Sequence, residues 1–558
     1  MNLIIFLTSY FLIVASLVGY GLTFQSNLNK KYNLAFEFCL LGVILFWIVI
    51  SFFTHFFINH NYFHNGIIIL LGFILFLINI FKKDKKTLKK YFKYISLIFG
   101  ILFFGLLAAK THDDFPYYHF PYTYYLTQEN LIVGTGILNH GFRTPSSIFY
   151  LNSLFYLPLI KYFSFNIGAT LLFGVSNLIL IFKLKDDYQN KKYDFLFYLT
   201  LLSFLFINIF FYRISEHGTD RSAQILILIL FIEILGLQRN QILYQKFFSK
   251  IFILLALIIS LKAFYVLYLL IFIPIFFYLK KKDIKNFVLN FFKNFYFYFF
   301  LLIGLFVVAV NFFNTGCYLY PIEFTCFKDL SWSLYSEARL MNDWYEQWSK
   351  AGAGPDFRVE NPQIYIQGFN WVSNWINMYF FNKVSDFLAG VIFLSAITFI
   401  TFYSKNSIKI KIDKKIYIVF VIIFILLFEW FYNHPSLRYG GYSLIALIFF
   451  VPLSIYVSRF QTNNNFKKKL IILITLSLVI FIGRNINRIY IETHKYDYNV
   501  LYKTYYNVSE NHLRIDKFLR EIKQEYYNCK NKNISNCIYQ NIKIEKKNDH
   551  FIISKEKK

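Results

Sequence analysis

The sequence predicts an all-α polytopic membrane protein, of the multi-helix kind with interfacial helices and extracytoplasmic loops, and three observations carry that prediction. Of the 558 residues, 57% are hydrophobic and only 16% charged, against about 25% charge in an average soluble domain, and mean hydropathy is +0.45. The apolar residues gather in runs approaching the ~20 residues that a ~30 Å hydrocarbon core demands of a helix. Between the runs the lysines cluster, as in Lys82, Lys83, Lys85, Lys86, Lys89 and Lys90, the pattern of cytoplasmic loops. A string of soluble domains would lack the polar residues to cover itself. Disorder is excluded by 72 Phe and 45 Tyr, which cannot stay in water. The net charge of +27 sits in the loop clusters, against a composition rich in Lys, Asn, Ile, Phe and Tyr, so no nucleic-acid partner is expected.

Apolar runs near 2–23, 34–57, 66–81, 91–109, 164–182, 194–212, 221–237, 250–261, 264–279, 294–313, 384–403, 416–432, 441–458 and 469–483 predict about fourteen spans. The first is expected to be a span rather than a cleaved signal, because it has no basic start and no small-residue cleavage site follows. With the N-terminus outside, the basic loops at Lys30–Lys31, 82–93, 183–192, 239–250, 280–293, 405–415 and 459–469 share the cytoplasmic face. The other face then receives 58–65, 110–163, 213–220, the neighbourhood of 262, 314–383, 433–440 and everything after 484. The stretch 251–279 is long for one span, yet basic loops flank it on both sides. It must turn back near Ser260, Leu261 and Lys262, as two short helices.

The chain therefore divides into N-terminal helices 1–90, a membrane module 91–313 with its first outer loop at 110–163, a large outer loop 314–383, C-terminal helices 384–483 and an outer tail 484–558. Of five cysteines, Cys317 and Cys326 share the large loop, and Cys529 and Cys537 share the tail. Two close pairs on the outer side read as disulfides of an oxidising compartment. Neither pair has a second pair or histidines at zinc spacing, so cysteine-bound metal is not expected. Cys39 falls inside a span as an apolar thiol. The tail is polar and lysine-rich, with helical periodicity near 509–527; the positive-inside rule weakens for segments of this length. No internal repeat of the transporter kind is visible.

Chemistry-bearing residues gather on the outer side. Thr111-His112-Asp113-Asp114-Phe115-Pro116-Tyr117-Tyr118-His119 follows the fourth run directly. Adjacent carboxylates at a membrane surface repel each other and call for a cation, a proton or a substrate. From Tyr122 to Pro158 the chain is too aromatic for a free loop and too interrupted for a span, which predicts one or two short interfacial helices. The second outer loop holds Arg213, Glu216, His217, Thr219 and Asp220, with Arg221 following; Thr219 or Asp220 would cap the next helix. Lys262 at the hairpin turn either snorkels or offers a cation. Arg438, within His434-Pro435-Ser436-Leu437-Arg438-Tyr439-Gly440-Gly441-Tyr442, presents a guanidinium fork suited to phosphate. Of twelve arginines only Arg239 and Arg459 fall on the cytoplasmic side. The large loop holds Trp332, Trp344, Trp348, Trp371 and Trp375 among acids, a composition that serves sugar rings and membrane interfaces equally.

This layout resembles the GT-C superfamily of integral-membrane glycosyltransferases, over roughly 91–383. The features that carry it are Asp113-Asp114 opening the first large outer loop, interfacial helices after it, a short second loop with Glu216 and Asp220, and the large loop 314–383 three spans later. Signatures of the oligosaccharyltransferase type such as Trp-Trp-Asp-Tyr-Gly are absent, so the acceptor is not expected to be a protein sequon. The resemblance implies transfer of a sugar from a polyprenyl-phosphate-linked donor to a glycan or lipid acceptor, at the periplasmic face of a bacterial inner membrane. Asp113 or Asp114 would be the general base. Lys262, Arg438, Arg213 and Arg221 would hold the phosphate, and His112, His119, Tyr117 and Tyr439 would meet the sugar or acceptor. A divalent cation, Mg2+ or Mn2+, could bridge Asp114 to Glu216 or Asp220. Rival readings are an outer-leaflet glycan polymerase or ligase, which would rely on outer Arg and His, and a glycolipid transporter, for which Glu37, Glu233 and Glu429 are the in-span candidates.

Overall fold

The computed structural model describes residues 2–27, 32, 34–82, 85–238, 244–278, 284–354, 359–408, 413–462, 465–496, 498–502, 507–534, 536–547 and 549–556. Lys30, Lys31, Lys83, Arg239 and Asp356 lie outside the described residues, as do the side chains of Lys85, Lys86 and Lys90. Each of the predicted apolar runs is helical. The expected count is corrected, however. Among the described residues eight helices are long and apolar enough to cross a membrane: Leu3–Ser26, Phe36–His55, Tyr62–Lys82, Lys161–Gln189, Phe295–Thr315, Val372–Phe402, Ile416–Asn433 and Phe466–Lys495. Tyr91–Leu106, Phe195–Phe210, Ala263–Phe277 and Gly441–Val457 are apolar but shorter. Polar turns take the missing length: Asp220 opens the helix Asp220–Leu235, and Lys262 ends Tyr244–Leu261.

Helices Phe36–His55 and Ile167–Gln189 are buried through most of their length. Around them, the other long helices expose large apolar side chains, including Phe63 at 78%, Phe81 at 86%, Leu305 at 66% and Ile400 at 71%. Side chains of this size in such number belong against lipid rather than water. Between Leu3–Asn27 and Tyr62–Lys82 the approach is close enough that a Cβ at Gly19 would sit 2.1 Å from the Gly72 carbonyl oxygen, the small-residue contact on which helices in membranes rely. Asn208 Nδ2 donates to Asn177 Oδ1 at 2.7 Å between two other buried helices.

Loops from distant parts of the chain meet at the two ends of the helices. At one end Glu233 is held by Lys183 at 2.9 Å and Lys250 at 2.6 Å. At the other end the segments near 110–163, 213–220, 262, 314–383, 433–440 and the tail meet one another. The hairpin turns where expected: Lys262 is extended (φ −156°, ψ 117°), and Phe252 before it packs on Phe272 after it at 6.4 Å.

In the first loop, Phe115–His119 is a π-helical turn that runs into the helix Phe120–Gln128, followed by Ser147–Ser153. The predicted boundary between the large loop and the next span is corrected. Helix begins at Val372 and continues through a π-helical stretch, Ile376–Val384, to Phe402. Trp371, Trp375 and Tyr379, spaced by one turn, are buried, and that packing holds the chain helical well before it turns uniformly apolar. The last span likewise overshoots its predicted end, running to Lys495.

The chain is helical nearly throughout, as expected, and the tail adds one small sheet. Helix Glu510–Asn531 occupies the predicted place, but after it the strands β1 (Cys537–Tyr539), β2 (Ile542–Lys547) and β3 (His550–Lys555) form an antiparallel sheet in sequence order. Gln540 and Asn541, at φ 48° and 64°, make the two-residue turn whose twist suits a hairpin. Disulfides join Cys317 to Cys326 and Cys529 to Cys537, and Cys39 is buried in its helix. The tail clasps the first loop: Val133 pairs with Ile552, Lys523 with Glu129, and the His512 ring packs edge-on against Phe115 at 6.1 Å and Phe120 at 5.0 Å.

Burial pushes the His512 ring down to about 4. The unfolded tail binds a proton near pH 6.5 that the docked tail refuses, so docking is fully stable above that pH and weakens as pH falls from 6.5 toward 4. Protection factors over 510–531, which remove the intrinsic pH dependence of exchange, are expected to fall severalfold on acidification through that window, and His512→Phe to abolish that fall.

Candidate functional site

Four segments far apart in the chain deliver four charges to one place. Asp114 precedes the π-helical turn, where its backbone carbonyl accepts from the amides of Tyr117 at 3.2 Å and Tyr118 at 3.1 Å. Asp220 is the first residue of its helix, where the helix dipole favours a carboxylate. Lys262 stands at the break in the hairpin, and Arg438 lies in the 3-10 turn Leu437–Tyr439. They alternate in sign along one chain of contacts. Arg438 reaches Asp114 Oδ2 through its terminal nitrogen at 3.1 Å and Asp220 Oδ2 through Nε at 3.4 Å. Lys262 pairs with Asp220 Oδ1.

Aromatic faces wall this row of charge. The Arg438 guanidinium lies 5.1 Å from the Trp348 ring centre and 5.2 Å from that of Tyr439, and Lys262 Nζ sits 4.1 Å over Tyr439. Such cation–π contacts gain in strength where water is excluded. Tyr118 donates its hydroxyl to Asp114 Oδ2 at 3.1 Å. Burial pushes the Asp114 carboxyl up, but Arg438 first and then His112, His119 and Tyr118 outweigh it, so the group is held well below the usual carboxylate range.

The Arg438 turn is fastened from several sides. Indole nitrogens of Trp375 and Trp430 donate to the carbonyls of Pro435 and Ser436, both at 2.8 Å. Gln224, one turn beyond Asp220, donates to the Arg438 carbonyl at 2.9 Å and accepts from the Ser443 amide at 3.1 Å. Gly440 has φ 119°, a conformation that other residues rarely take. The helix that carries Asp220 therefore also sets the place of Arg438.

The remaining candidates separate. Asp113 is 89% exposed and faces Lys110 at 3.6 Å, so of the two adjacent acids only Asp114 turns inward. His112 and His119 stack at 5.1 Å beside Asp114. Burial pushes both rings down, His119 to about 3. Arg221 makes no ion pair among the described residues, and its charge bears on His112. Tyr117 is 55% exposed, and its carbonyl accepts from Asn139.

Glu216 is a correction. It pairs with Arg488 at 2.7 Å and Arg213 at 3.4 Å, in a network with Glu492 and the Lys110 carbonyl. Neither Glu216 nor Arg213 joins the Asp114 cluster. The expected bridging ion loses its ligands too: Glu216 is committed to arginine, and between Asp114 and Asp220 the guanidinium of Arg438 already stands where a cation would. Tyr118 and Gln224 were not legible as site residues. Trp348 was one tryptophan among five, and only its place beside Arg438 sets it apart from the buried Trp371 and Trp375.

No curated protein and no solved structure matches the chain. One family does match, over residues 1–445, a stretch that takes in Asp114, Asp220, Lys262 and Arg438. The chain thus belongs to the DUF8201 family, described as a domain of unknown function.

Proposed function

We propose that this protein is a GT-C-type glycosyltransferase of a bacterial inner membrane, moving a sugar from a polyprenyl-phosphate-linked donor to a glycan or lipid acceptor on the periplasmic side. One observation carries the reading. The described contacts of the Asp114 side chain, with Tyr118, Arg438 and His112, all fall on Oδ2. Oδ1 is left for an acceptor hydroxyl, on a carboxylate that is 28% exposed and ionised.

The chemistry follows from the charges. A donor phosphodiester arrives as an anion and competes with Asp114 and Asp220 for Arg438 and Lys262. As Arg438 turns to the phosphate, Asp114 loses the neighbour that holds its basicity down, so donor binding readies the base. The acceptor oxygen gives its proton to Asp114 Oδ1 and attacks the anomeric carbon, inverting it in a single displacement. The lipid phosphate leaves as a stable anion that needs cations rather than a proton.

Profiling glycolipids and surface glycans of cells lacking the protein, then of cells restored with wild type, tests the reaction class. A sugar that disappears and returns names the substrate. An unchanged profile overturns the reading, and a sugar restored fully by Asp113→Asn plus Asp114→Asn favours transport or polymerisation instead. Arg438→Lys, which keeps charge but loses the planar fork, is expected to raise the donor KM about tenfold, the worth of one charge-assisted hydrogen bond, with a smaller change in kcat.

A further inference from the structure

The donor atoms of His112, Asp114 and His119 lie within 4.8 Å of one another, and we propose that these three side chains form a transition-metal site, best suited to Zn2+. The site stands independently of the reaction class proposed above. It also differs in ligands and in metal from the oxygen-bridged Mg2+ or Mn2+ that the sequence suggested.

Backbone geometry supplies the first argument. Phe115–His119 is a π-helical turn in which the His119 amide points to the Asp114 carbonyl at 3.5 Å. Bonding from i to i+5 brings residues 114 and 119 onto one face, which an α-helix would not do, and such turns recur at functional sites. His112 is locked beside them, since its Nδ1 accepts the Asp114 amide at 3.0 Å. His112 Nδ1 and Asp114 Oδ2 are 3.6 Å apart. With bonds of about 2.0–2.1 Å, an ion between them would see an angle of about 120°, within the range of a distorted tetrahedral or five-coordinate zinc site.

The second argument is an unsatisfied atom. His119 is 5% exposed, and its Nε2 is buried with no hydrogen-bond partner among the described residues. Native proteins rarely leave such a nitrogen empty. A neutral imidazole offers a lone pair at that nitrogen. Gly218, at φ 56°, lies against both rings: a Cβ there would stand 3.1 Å from His119 Cε1 and 3.3 Å from His112 Cδ2. Two imidazoles and one carboxylate suit zinc and its neighbours in the first row, whereas Mg2+ and Ca2+ prefer oxygen throughout. Three protein ligands would leave a fourth position for water or a substrate oxygen.

An ion here takes Oδ2 from Arg438 and Tyr118, and His112 Nδ1 from the Asp114 amide. Metal and guanidinium therefore compete for Asp114, which makes the site testable without any assay of turnover. The full chain, purified in detergent and stripped with chelator, would be titrated with Zn2+, with bound metal counted by mass spectrometry. Expected are one high-affinity ion per chain, at least tenfold weaker binding in His119→Gln and in His112→Gln, tighter binding in Arg438→Gln, and no change in His494→Gln. Equal unfolding temperatures of the metal-free wild type and His119→Gln would establish that the variant folds. Co2+ in place of Zn2+ should give the intense visible bands of a four- or five-coordinate site. A folded wild type that retains no ion overturns the proposal, as does zinc binding unaltered by the two histidine substitutions together.

Discussion

Asp114→Asn is expected to lower sugar transfer by about 10²–10⁴-fold, the contribution of one positioned general base, whereas Asp113→Asn stays within about twofold of wild type. The two residues are neighbours of identical chemistry, so the contrast isolates geometry. Asn at 114 keeps the size of the side chain and can still accept from Tyr118, and Arg438 retains Asp220. What is lost is the charge and the proton acceptor. Asp113 is solvated, with Lys110 3.6 Å away, and its replacement removes only a surface ion pair worth a fraction of a kcal/mol. Both variants, expressed at equal level in cells lacking the protein, would be compared for the glycolipid that wild type restores. Loss in both, or in neither, would move the base away from Asp114.

Asp114, Asp220, Lys262 and Arg438 were each visible in the sequence for the same physical reason. A charge placed at the end of an apolar run is costly near hydrocarbon, so its presence there marks a demand. The apolar runs were visible as well, but the number of crossings was not, because several of those runs form helices too short to span on their own. Pairing was not visible. Glu216 and Asp220 look alike in one short loop, but the partner of Glu216 is Arg488, 272 residues away, in a helix that continues past its apolar segment. Asp113 and Asp114 differ only because the turn that begins at Phe115 is π-helical, and nothing in Phe-Pro-Tyr-Tyr-His announces the extra residue in its turn. The tail sheet had a faint signal, the alternation of Ile542 with Ile544 and of Phe551 with Ile553, all buried. Strands this short lie below what periodicity separates from noise.

Arg488→Met is expected to destabilise the protein by about 3–5 kcal/mol, the cost of removing one partner from a buried ion cluster. Arg488 is 8% exposed, against 10% for Glu216 and 8% for Glu492. Its guanidinium binds Glu216 at 2.7 Å, Glu492 at 2.5 Å and the Lys110 carbonyl at 2.6 Å, and Glu492 in turn accepts the Lys110 amide at 2.8 Å. Without it two buried carboxylates remain, and the nearest cation on either is Arg213, itself 44% exposed. Thermal unfolding in detergent, followed by tryptophan fluorescence, would read the loss. A triple variant that adds Glu216→Gln and Glu492→Gln should recover most of it, since neutral partners no longer need the cation. The same measurement separates two roles for Glu216: as part of this latch, Glu216→Gln lowers the unfolding temperature, whereas a catalytic acid would lose transfer at unchanged stability. Because Lys110 lies two residues before His112, loosening the latch also frees the strand of chain that aims Asp114. Transfer in Arg488→Met should therefore fall even at temperatures where the protein stays folded.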